Sequence, residues 1–569
     1  MKKKYYITIF GLTGLFLIAT MLQTFNNKNK LTTKENNMLL QDLPATKPAH
    51  STTNPIYGGT LVWGTINAPT LINPVFTKHS VSASLMDLIF NKLVRINASG
   101  AIEPDLAKEW HISEDQLTYT FTLKKNIFFH DGIKCTAEDV LFTYQEVIKS
   151  EHQSPRNRYQ LVDKFKAPEK YIFQVTLKKP YPTLLYELSL EIIPQHILKN
   201  NISRTHPFNY HPIGTGPFTF ISWDQNTNEI QLKAYSDYHE GRPFLDKILV
   251  KTYADIKHLW NAFMRQEIDL VKFITKNDYQ TIKNDPLFKG YRITSSMYYA
   301  LVYNLDDPIL SDIHVRTAIA QSINIKGIIN KVYNGNGILC TGHLHPQSIG
   351  FNKNVKALTY NPLKAKIDLM HRGWQDQNQD GILEKHGINL KLNILVDKKN
   401  AIYRNIAAMI RQDLAAVGIQ VKLILYNDAK ELTPSCLKKN NAQAWLRMYK
   451  GFSPEEQEIE HYSSSSWYSR GHEFAKIWKY INKQVDLLFE FSQTSTNKDE
   501  RKQAFYQIHK LIYEDQPACF LFFPSGFSAV TSKFKNTDEH FSLKMPTYTI
   551  KNWFLIPPGQ EGDPVIFNY

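Results

Sequence analysis

The hydrophobic pattern changes period along the chain, and each change marks an element. Leu117, Tyr119, Phe121 and Leu123 alternate with Thr118, Thr120, Thr122 and Lys124, the period of two expected of a strand with one buried face. Ile127, Phe128 and Phe129 predict a second short strand. His130-Asp131-Gly132 predicts a turn tied by side-chain hydrogen bonds, with Gly132 at positive φ. Thr136 is placed to cap a helix whose first turn holds Glu138 and Asp139, where carboxylates suit the positive end of the dipole. Val140, Leu141, Tyr144, Val147 and Ile148 give that helix its apolar face. Residues 60–63 predict a strand ending at Gly64, residues 85–94 a helix and residues 301–305 another strand. Residues 402–417 form an amphipathic pattern closed by Gly418 and followed by a strand over 419–423, the helix–glycine–strand unit of α/β packing. A helix over 500–514 and an apolar strand over 519–523 complete the series.

The amino terminus is patterned differently. Lys2, Lys3 and Lys4 precede an apolar run over residues 5–22, the layout of a secretory signal, with a length near the minimum for crossing a bilayer. Leu17 and Ala19 ahead of Thr20 make a poor cleavage site, and no cysteine follows for lipid attachment. Residues 1–22 are thus expected to be either a cleaved signal or an uncleaved anchor. The anchor is favoured, with the lysines cytoplasmic and the globule outside. Residues 23–56 are polar, rich in Asn, Thr and Lys, and carry Pro44, Pro48 and Pro55, the composition of a flexible linker.

A chain of 569 residues exceeds one core, so two or three lobes are expected. With 43% hydrophobic and 21% charged residues it reads as globular rather than disordered. Its 12% aromatic share suits both cores and an apolar ligand cleft. Of the net charge of +14, residues 1–56 hold seven lysines against Glu35 and Asp42, which leaves about +9 on the globule, mild for its size. No dense Lys/Arg run with interleaved aromatics is present, so no nucleic-acid partner is expected.

Chemistry-bearing clusters are few. Cys135, Cys340, Cys436 and Cys519 contain no Cys-x-x-Cys pair, against a zinc ribbon or thioredoxin-type site. An oxidising compartment permits a disulfide, with Cys340 and Cys436 the first pair to test. Cys340, His343 and His345 offer ligands suited to zinc, nickel or copper within six residues; chance proximity among 19 histidines is the favoured reading. Asp376, Asn378, Asp380 and Gly381 have the spacing of a calcium loop. The twelfth position is Gly387 rather than an acid, Glu384 is the acid that would have to substitute, and a loop without metal is favoured. Pro212-Ile213-Gly214-Thr215-Gly216-Pro217 lacks the third glycine of a phosphate loop and reads as a tight turn. There is no Gly-x-Ser-x-Gly, Walker loop or His-Glu-x-x-His; His472-Glu473 is followed by Lys476 where a second histidine is needed, and the serines over 463–466 read as a polar loop. No enzyme activity and no cofactor are expected.

The stretch from Ile102 to Thr143, with Ile102-Glu103-Pro104-Asp105-Leu106 and Phe129-His130-Asp131-Gly132, carries the most information. It resembles the signature of the large extracytoplasmic solute-binding proteins, family 5, which capture oligopeptides, dipeptides and nickel complexes for ABC importers. Similar blocks follow in the family's order: Pro180-Tyr181-Pro182, Ile193-Pro194-Gln195-His196, Gly214-Thr215-Gly216-Pro217, Gly241-Arg242-Pro243, Val315-Arg316-Thr317-Ala318-Ile319 and Gly373 to Glu384. Together they run from about Thr60 to about Phe523. The resemblance implies an α/β, two-lobed periplasmic binding protein fold of class II, cluster C type. Lobe I would span 57–273 with an extra subdomain, lobe II 274–516, and a return segment 517–569 would rejoin lobe I, with a hinge between the lobes. It implies a monomer outside the cytoplasmic membrane, tethered by its amino-terminal segment, that captures peptides or peptide-like solutes and delivers them to ABC permease subunits. The cleft residues so indicated are Trp63, Asn67, Asn91, Tyr303, Asn304, Trp445, Tyr449 and Lys450, with Trp63 and Trp445 equally readable as core. Arg316 reads as a structural ion-pair residue. Peptide-binding members carry an aspartate four residues before the proline that is Pro454 here, and it pairs with the ligand's amino group; this chain has Lys450, which would repel an ammonium and attract a carboxylate. Glu455 or Glu456 are the acids placed to take over. Two other readings stay open: a metal or metallophore receptor, and a membrane-tethered peptide chaperone or sensor.

Overall fold

The computed structural model describes residues 55–76, 80–98, 100–149, 159–427, 441–450, 479–495, 497–541 and 547–556. The amino-terminal segment and most of the linker, Cys436, Pro454, Glu455 and Glu456, the serines over 463–466, His472-Glu473 and residues 557–569 lie outside them. Among the described residues no helix is long and apolar enough to cross a membrane.

Strand β1 (Thr60–Thr65) opens the ordered chain, and β2 (Val94–Ile96) pairs with β3 (Ile102–Pro104) as a small ribbon. Strands β4 (Ala107–Ile112), β5 (Thr118–Leu123), β6 (Val162–Glu169) and β7 (Ile172–Leu177) make a separate sheet in the order β4-β5-β7-β6. Then come β8 (Phe218–Asp224), β9 (Glu229–Ala234), β10 (Lys247–Thr252) and β11 (Leu270–Ile274), with β10 and β11 lying parallel to β1 on its two sides. Next are β12 (Phe288–Thr294), β13 (Met297–Tyr303) and β14 (Gly337–Leu339). A hairpin of β15 (Glu384–Lys385) and β16 (Ile388–Asn389) precedes β17 (Lys391–Asp397), β18 (Gln420–Tyr426) and β19 (Ala444–Lys450). Strand β20 (Ala518–Thr531) is the longest, and β21 (Phe534–Lys535) pairs with β22 (Phe554–Leu555). The main path of the large sheet reads β18-β17-β19-β13-β20-β11-β1-β10-β9-β8, with β12 and β14 also on β20.

Packing divides around β20. Trp63, Ile72, Leu85, Phe121, Phe218, Val250 and Trp553 belong to one core, which covers the β8–β11 end and the separate sheet. At the other end β13 is buried on both faces. Tyr299, Leu301 and Tyr303 join Ile319, Ile394 and Leu414 in a second core, while Tyr298, Ala300 and Val302 join Phe505, Ile508 and Phe523 in a third. A strand buried on both sides reads as an unbroken apolar run, as Tyr298 to Tyr303 does.

Strand β5 alternates as its period requires, with Tyr119, Phe121 and Leu123 buried. Gly132 has φ +85°, and helix Ala137–Lys149 starts where Thr136 donates its N–H and hydroxyl to Asp139 at 2.9 and 3.2 Å. Helix Ala401–Ala415, Gly418 at φ +87° and β18 reproduce the helix–glycine–strand unit. Three expectations are corrected. Residues 127–129 form no strand: an isolated bridge joins Phe128 to Lys134, and the Phe129 N–H and Ile127 carbonyl bond to Ile133 at 2.8 Å and Cys135 at 3.0 Å, so the segment closes on its own turn instead of entering a sheet. The helix expected over 85–94 is Ser80–Ile89, since the Gly216 N–H takes the Ile89 carbonyl at 2.8 Å and Val94 is needed in β2. Gly214 and Gly216 serve that approach rather than a turn angle; a Cβ on Gly214 would stand 2.0 Å from the Ile89 oxygen.

Candidate functional site

Among the described residues two stretches of chain pass between the two ends of the large sheet. One is β12 running into β13 through Ser295 and Ser296; the other is β20, antiparallel beside it. The amino half of β20 pairs with β13 (Ala518 with Val302, Phe522 with Tyr299), and its carboxyl half pairs with β11 and β12 (Ile274 with Phe527, Thr294 with Ser525). At the crossing the Ser295 N–H donates to the Pro524 carbonyl at 2.8 Å, and the Thr294 and Ser525 hydroxyls meet at 3.3 Å. Pro524 has no N–H to give to a ladder, so the strand is weakest where it passes from one half to the other. Ile338 of β14 and the Lys276–Asn334 contact lie beside it.

Strand direction fixes where a ligand would be met. Crevices of open α/β sheets lie outside the carboxyl ends of their parallel strands. In the first half, β1, β10 and β11 run parallel, and β11 ends at Ile274 near the crossing. In the second half, β17, β18 and β19 run parallel, and β19 ends with Lys450 opposite Met297, next to Ser296. The carboxyl ends of β11 and β19 therefore both reach the crossing, one from each half of the sheet.

The eight residues singled out in the sequence separate on this geometry. Asn67 follows the carboxyl end of β1, where its N–H meets the Thr65 hydroxyl at 3.3 Å. Tyr449 and Lys450 occupy the carboxyl end of β19, Tyr449 half-buried beside Tyr298 at a ring separation of 6.1 Å. The Lys450 side chain is outside the described residues. Tyr303 and Asn304 lie at the opposite end of β13, roughly 20 Å from the crossing at the rise of an extended strand. Tyr303 is core, its hydroxyl enclosed without a hydrogen-bond partner, and Asn304 ties a turn by accepting from the Asp306 N–H at 3.2 Å. Trp445 stands near that same far end, buried, with its indole N–H 3.4 Å from the Tyr426 hydroxyl and Arg447 over its ring. Asn91 is buried against Asp105 at 2.7 Å and the Tyr238 hydroxyl at 3.1 Å.

Trp63 is 2% exposed. Above its ring, at 4.7 Å, lies the Lys272 ammonium, which donates to Ser84 Oγ at 2.9 Å and Thr547 Oγ1 at 3.3 Å. Burial pulls that ammonium down to about 8, against the attraction of Asp87. Two exposed apolar residues that the sequence did not single out flank the crossing, Phe273 at 65% exposure and Met297 at 38%. An apolar residue in an apolar run gives no sign that it will be left in water, so only their neighbours in space reveal them.

Other clusters are occupied or dispersed. Among the described residues Arg316 makes no ion pair, contrary to the expectation; its guanidinium donates to the carbonyls of Gln516, Leu310, Ser311 and Asp515 at 2.6 to 2.9 Å, closing the end of helix Lys498–Asp515. Cys340 is a buried free thiol, as are Cys135 and Cys519. Cys340, His343 and His345 are not among the groups of three ligand atoms that the described residues bring together. Asp105, His239 and Glu240 are such a group, but Arg95 reaches Glu240 at 3.0 Å and Asp105 at 4.0 Å, and Lys124 and Lys551 also pair with Glu240. The cations already fill that place: burial lifts Asp105 to about 6, while Lys551 and Arg95 outweigh burial and hold Glu240 near 2. Asp376, Asp380 and Glu384 form the second group.

Comparison with known proteins sets this geometry among relatives. Residues 101–469 match the sequence profile of the bacterial extracellular solute-binding proteins, family 5 Middle. The chain is 27% identical over 521 residues to the oligopeptide-binding protein AppA of Bacillus subtilis, covering 88% of this chain and 92% of that protein. It superimposes on the structure of that AppA in complex with a nonapeptide with a TM-score of 0.70 at 26% identity, over 89% of this chain and 100% of the other. It is 24% identical over 504 residues to the dipeptide-binding protein of Escherichia coli, covering 84% and 91% of the two chains. NikZ from Campylobacter jejuni in complex with Ni(L-His) superimposes with a TM-score of 0.70 at 25% identity, over 87% and 99%.

Proposed function

The chain belongs to the bacterial extracellular solute-binding proteins of family 5 and has their two-lobed fold, and from that premise we propose that it is the substrate-binding component of an ABC importer for peptides or peptide-like solutes. It works outside the cytoplasmic membrane, and its task is to hold a solute and release it unchanged to permease subunits. The observation that carries the peptide reading is the likeness, over 88% of the chain, to an oligopeptide-binding protein. In this reading the two halves of the large sheet are the lobes, and they turn about Ser295–Ser296 and Pro524–Ser525. A ligand touching both lobes stabilises the closed arrangement by its extra contacts there. Asn67, Phe273, Met297, Tyr449 and Lys450 surround the ligand at the converging carboxyl ends. Extended peptides bond through their backbones in such a cleft, while pockets accept varied side chains. Residues 1–22 hold the protein at the membrane, and residues 23–56 give it reach.

Lys450 sets the preference within that class. An ammonium at this point repels a free amino terminus and favours a carboxylate or an amine-blocked peptide. Calorimetry with a peptide pool and its amine-blocked counterpart tests this: blocked peptides should bind at least as tightly, and a strict requirement for a free α-amine refutes the assignment. The likeness to NikZ supports a second reading, capture of a chelated metal. Mass spectrometry of ligand co-purified with the native protein separates the two. A nickel–amino-acid complex in place of peptides would overturn the first.

A further inference from the structure

The loop from Gln375 to Glu384 gathers oxygen ligands that the transport reading does not use. Asp376, Asp380 and Glu384 each place a carboxylate oxygen within 4.8 Å of the others. Asp376 Oδ2 accepts from the Gly381 N–H at 3.0 Å, Asn378 Oδ1 from the Asp380 N–H at 2.9 Å, and Asp380 Oδ1 from the Ile382 N–H at 2.8 Å. Gly381, at φ +86°, lets the loop reverse. Acidic loops of this kind are common in solvent and need no ion.

Glu384 is different, because it is 8% exposed. The Gln375 N–H and carbonyl bond to its backbone at 3.0 and 2.8 Å, which fixes it at the start of β15. Its Oε1 accepts from the Gln377 N–H at 2.9 Å, whereas its Oε2 is enclosed and has no hydrogen-bond partner. An enclosed, unpartnered carboxylate oxygen is costly, and two neighbouring carboxylates raise the cost. Among the described residues no basic side chain forms an ion pair with any of the three.

We propose that this loop is a Ca²⁺ site, with ligands from the side chains of Asp376, Asn378, Asp380 and Glu384 and from the Ile382 carbonyl. An all-oxygen set of this kind suits a large hard cation, and it lacks the nitrogen or sulfur that zinc, nickel or copper would select. The acid missing at the twelfth place is supplied from the ninth, because the bridge to Gln375 turns Glu384 back onto the loop. The ion also anchors structure: the Leu383 N–H donates to the Gly418 carbonyl at 2.8 Å, so the loop is pinned to the turn between helix Ala401–Ala415 and β18.

The test uses full-length protein in detergent, stripped with a chelator. CaCl2 is titrated by calorimetry, and Tb³⁺ luminescence is read through Trp374, two residues before Asp376. One Ca²⁺ per chain is expected, with Kd of about 10⁻⁴ to 10⁻³ M, the range of extracellular calcium modules, together with a rise in Tm. Asp376→Asn and Asp380→Asn should each weaken binding about tenfold or more. Glu384→Gln should weaken Ca²⁺ binding while raising the Tm of the stripped protein, a gain that misfolding would not give. Absence of stoichiometric binding at about 10 mM Ca²⁺, or unchanged binding in a folded Asp376→Asn, Asp380→Asn double variant, overturns the assignment.

Discussion

Lys272→Met probes the buried cation above Trp63. The ammonium titrates at about 8 in the folded chain and at 10.5 when free. Between those values the unfolded chain holds more protons than the folded one, so stability rises with pH across that window, and the penalty is fully present below it. A whole proton is worth about 1.4 kcal/mol per pH step. From about pH 7.5 to about pH 10.5 the gain is then at most about 3 kcal/mol, and about half of that once partial solvent access to the side chain is allowed for. Methionine keeps the stem and cannot titrate. It loses two hydroxyl hydrogen bonds and the contact with the Trp63 ring, each worth about 1 kcal/mol. Those losses offset much of the gain at neutral pH, so the pH dependence is the sharper signal. Urea unfolding of both proteins across this range, followed by tryptophan fluorescence, gives their difference at each pH. Wild type should gain on the variant by about 1 to 3 kcal/mol as pH rises. A difference that is flat with pH, or that moves the other way, refutes a depressed Lys272.

Gly214→Ala should destabilise by about 3 kcal/mol or prevent folding, because the new methyl meets the Ile89 carbonyl oxygen at 2.0 Å. Gly132→Ala, where a Cβ meets nothing within 4 Å but φ is +85°, should cost only about 1 kcal/mol, and chemical denaturation ranks the two. Tyr303→Phe removes an enclosed hydroxyl with no partner, so it should be neutral or stabilising by about 1 kcal/mol and leave ligand affinity unchanged; a tenfold loss in affinity by calorimetry would place Tyr303 in the site after all. Arg316→Met strands four backbone carbonyls and should cost about 3 kcal/mol or more in a denaturant melt, with Arg316→Lys unable to restore them all.

Elements whose pattern is local were legible in the sequence. The alternation over Leu117 to Leu123 and the unit closed by Gly418 needed only neighbouring residues, and both formed as read. The family blocks reached the fold class, because they kept one order across the globule. What failed depended on distant chain. The apolar run at Cys519 was visible as a short strand, but Pro524, Ser525, Gly526 and Ser528 look like a loop, and only pairing with β11 and β12 makes Ala518–Thr531 one strand. The helix after Ser80 stops early because a turn more than a hundred residues later claims its last carbonyl. For the candidate site, Tyr303, Trp445 and Tyr449 share one strand pair, yet strand direction puts Tyr449 at the crossing and the other two at the far end. Composition carries no such direction.

Strand β20 also has a consequence for how the molecule is made. It lies between β11 on one edge and the continuous β12 and β13 on the other, so each half of the large sheet has an open edge until Ala518–Thr531, more than 200 residues after β13, arrives. A chain exported from its amino terminus must emerge as far as Thr531 before either half can be completed. Unpaired edges invite wrong partners during that wait, so secretion and maturation are coupled through the last long strand to reach the outside.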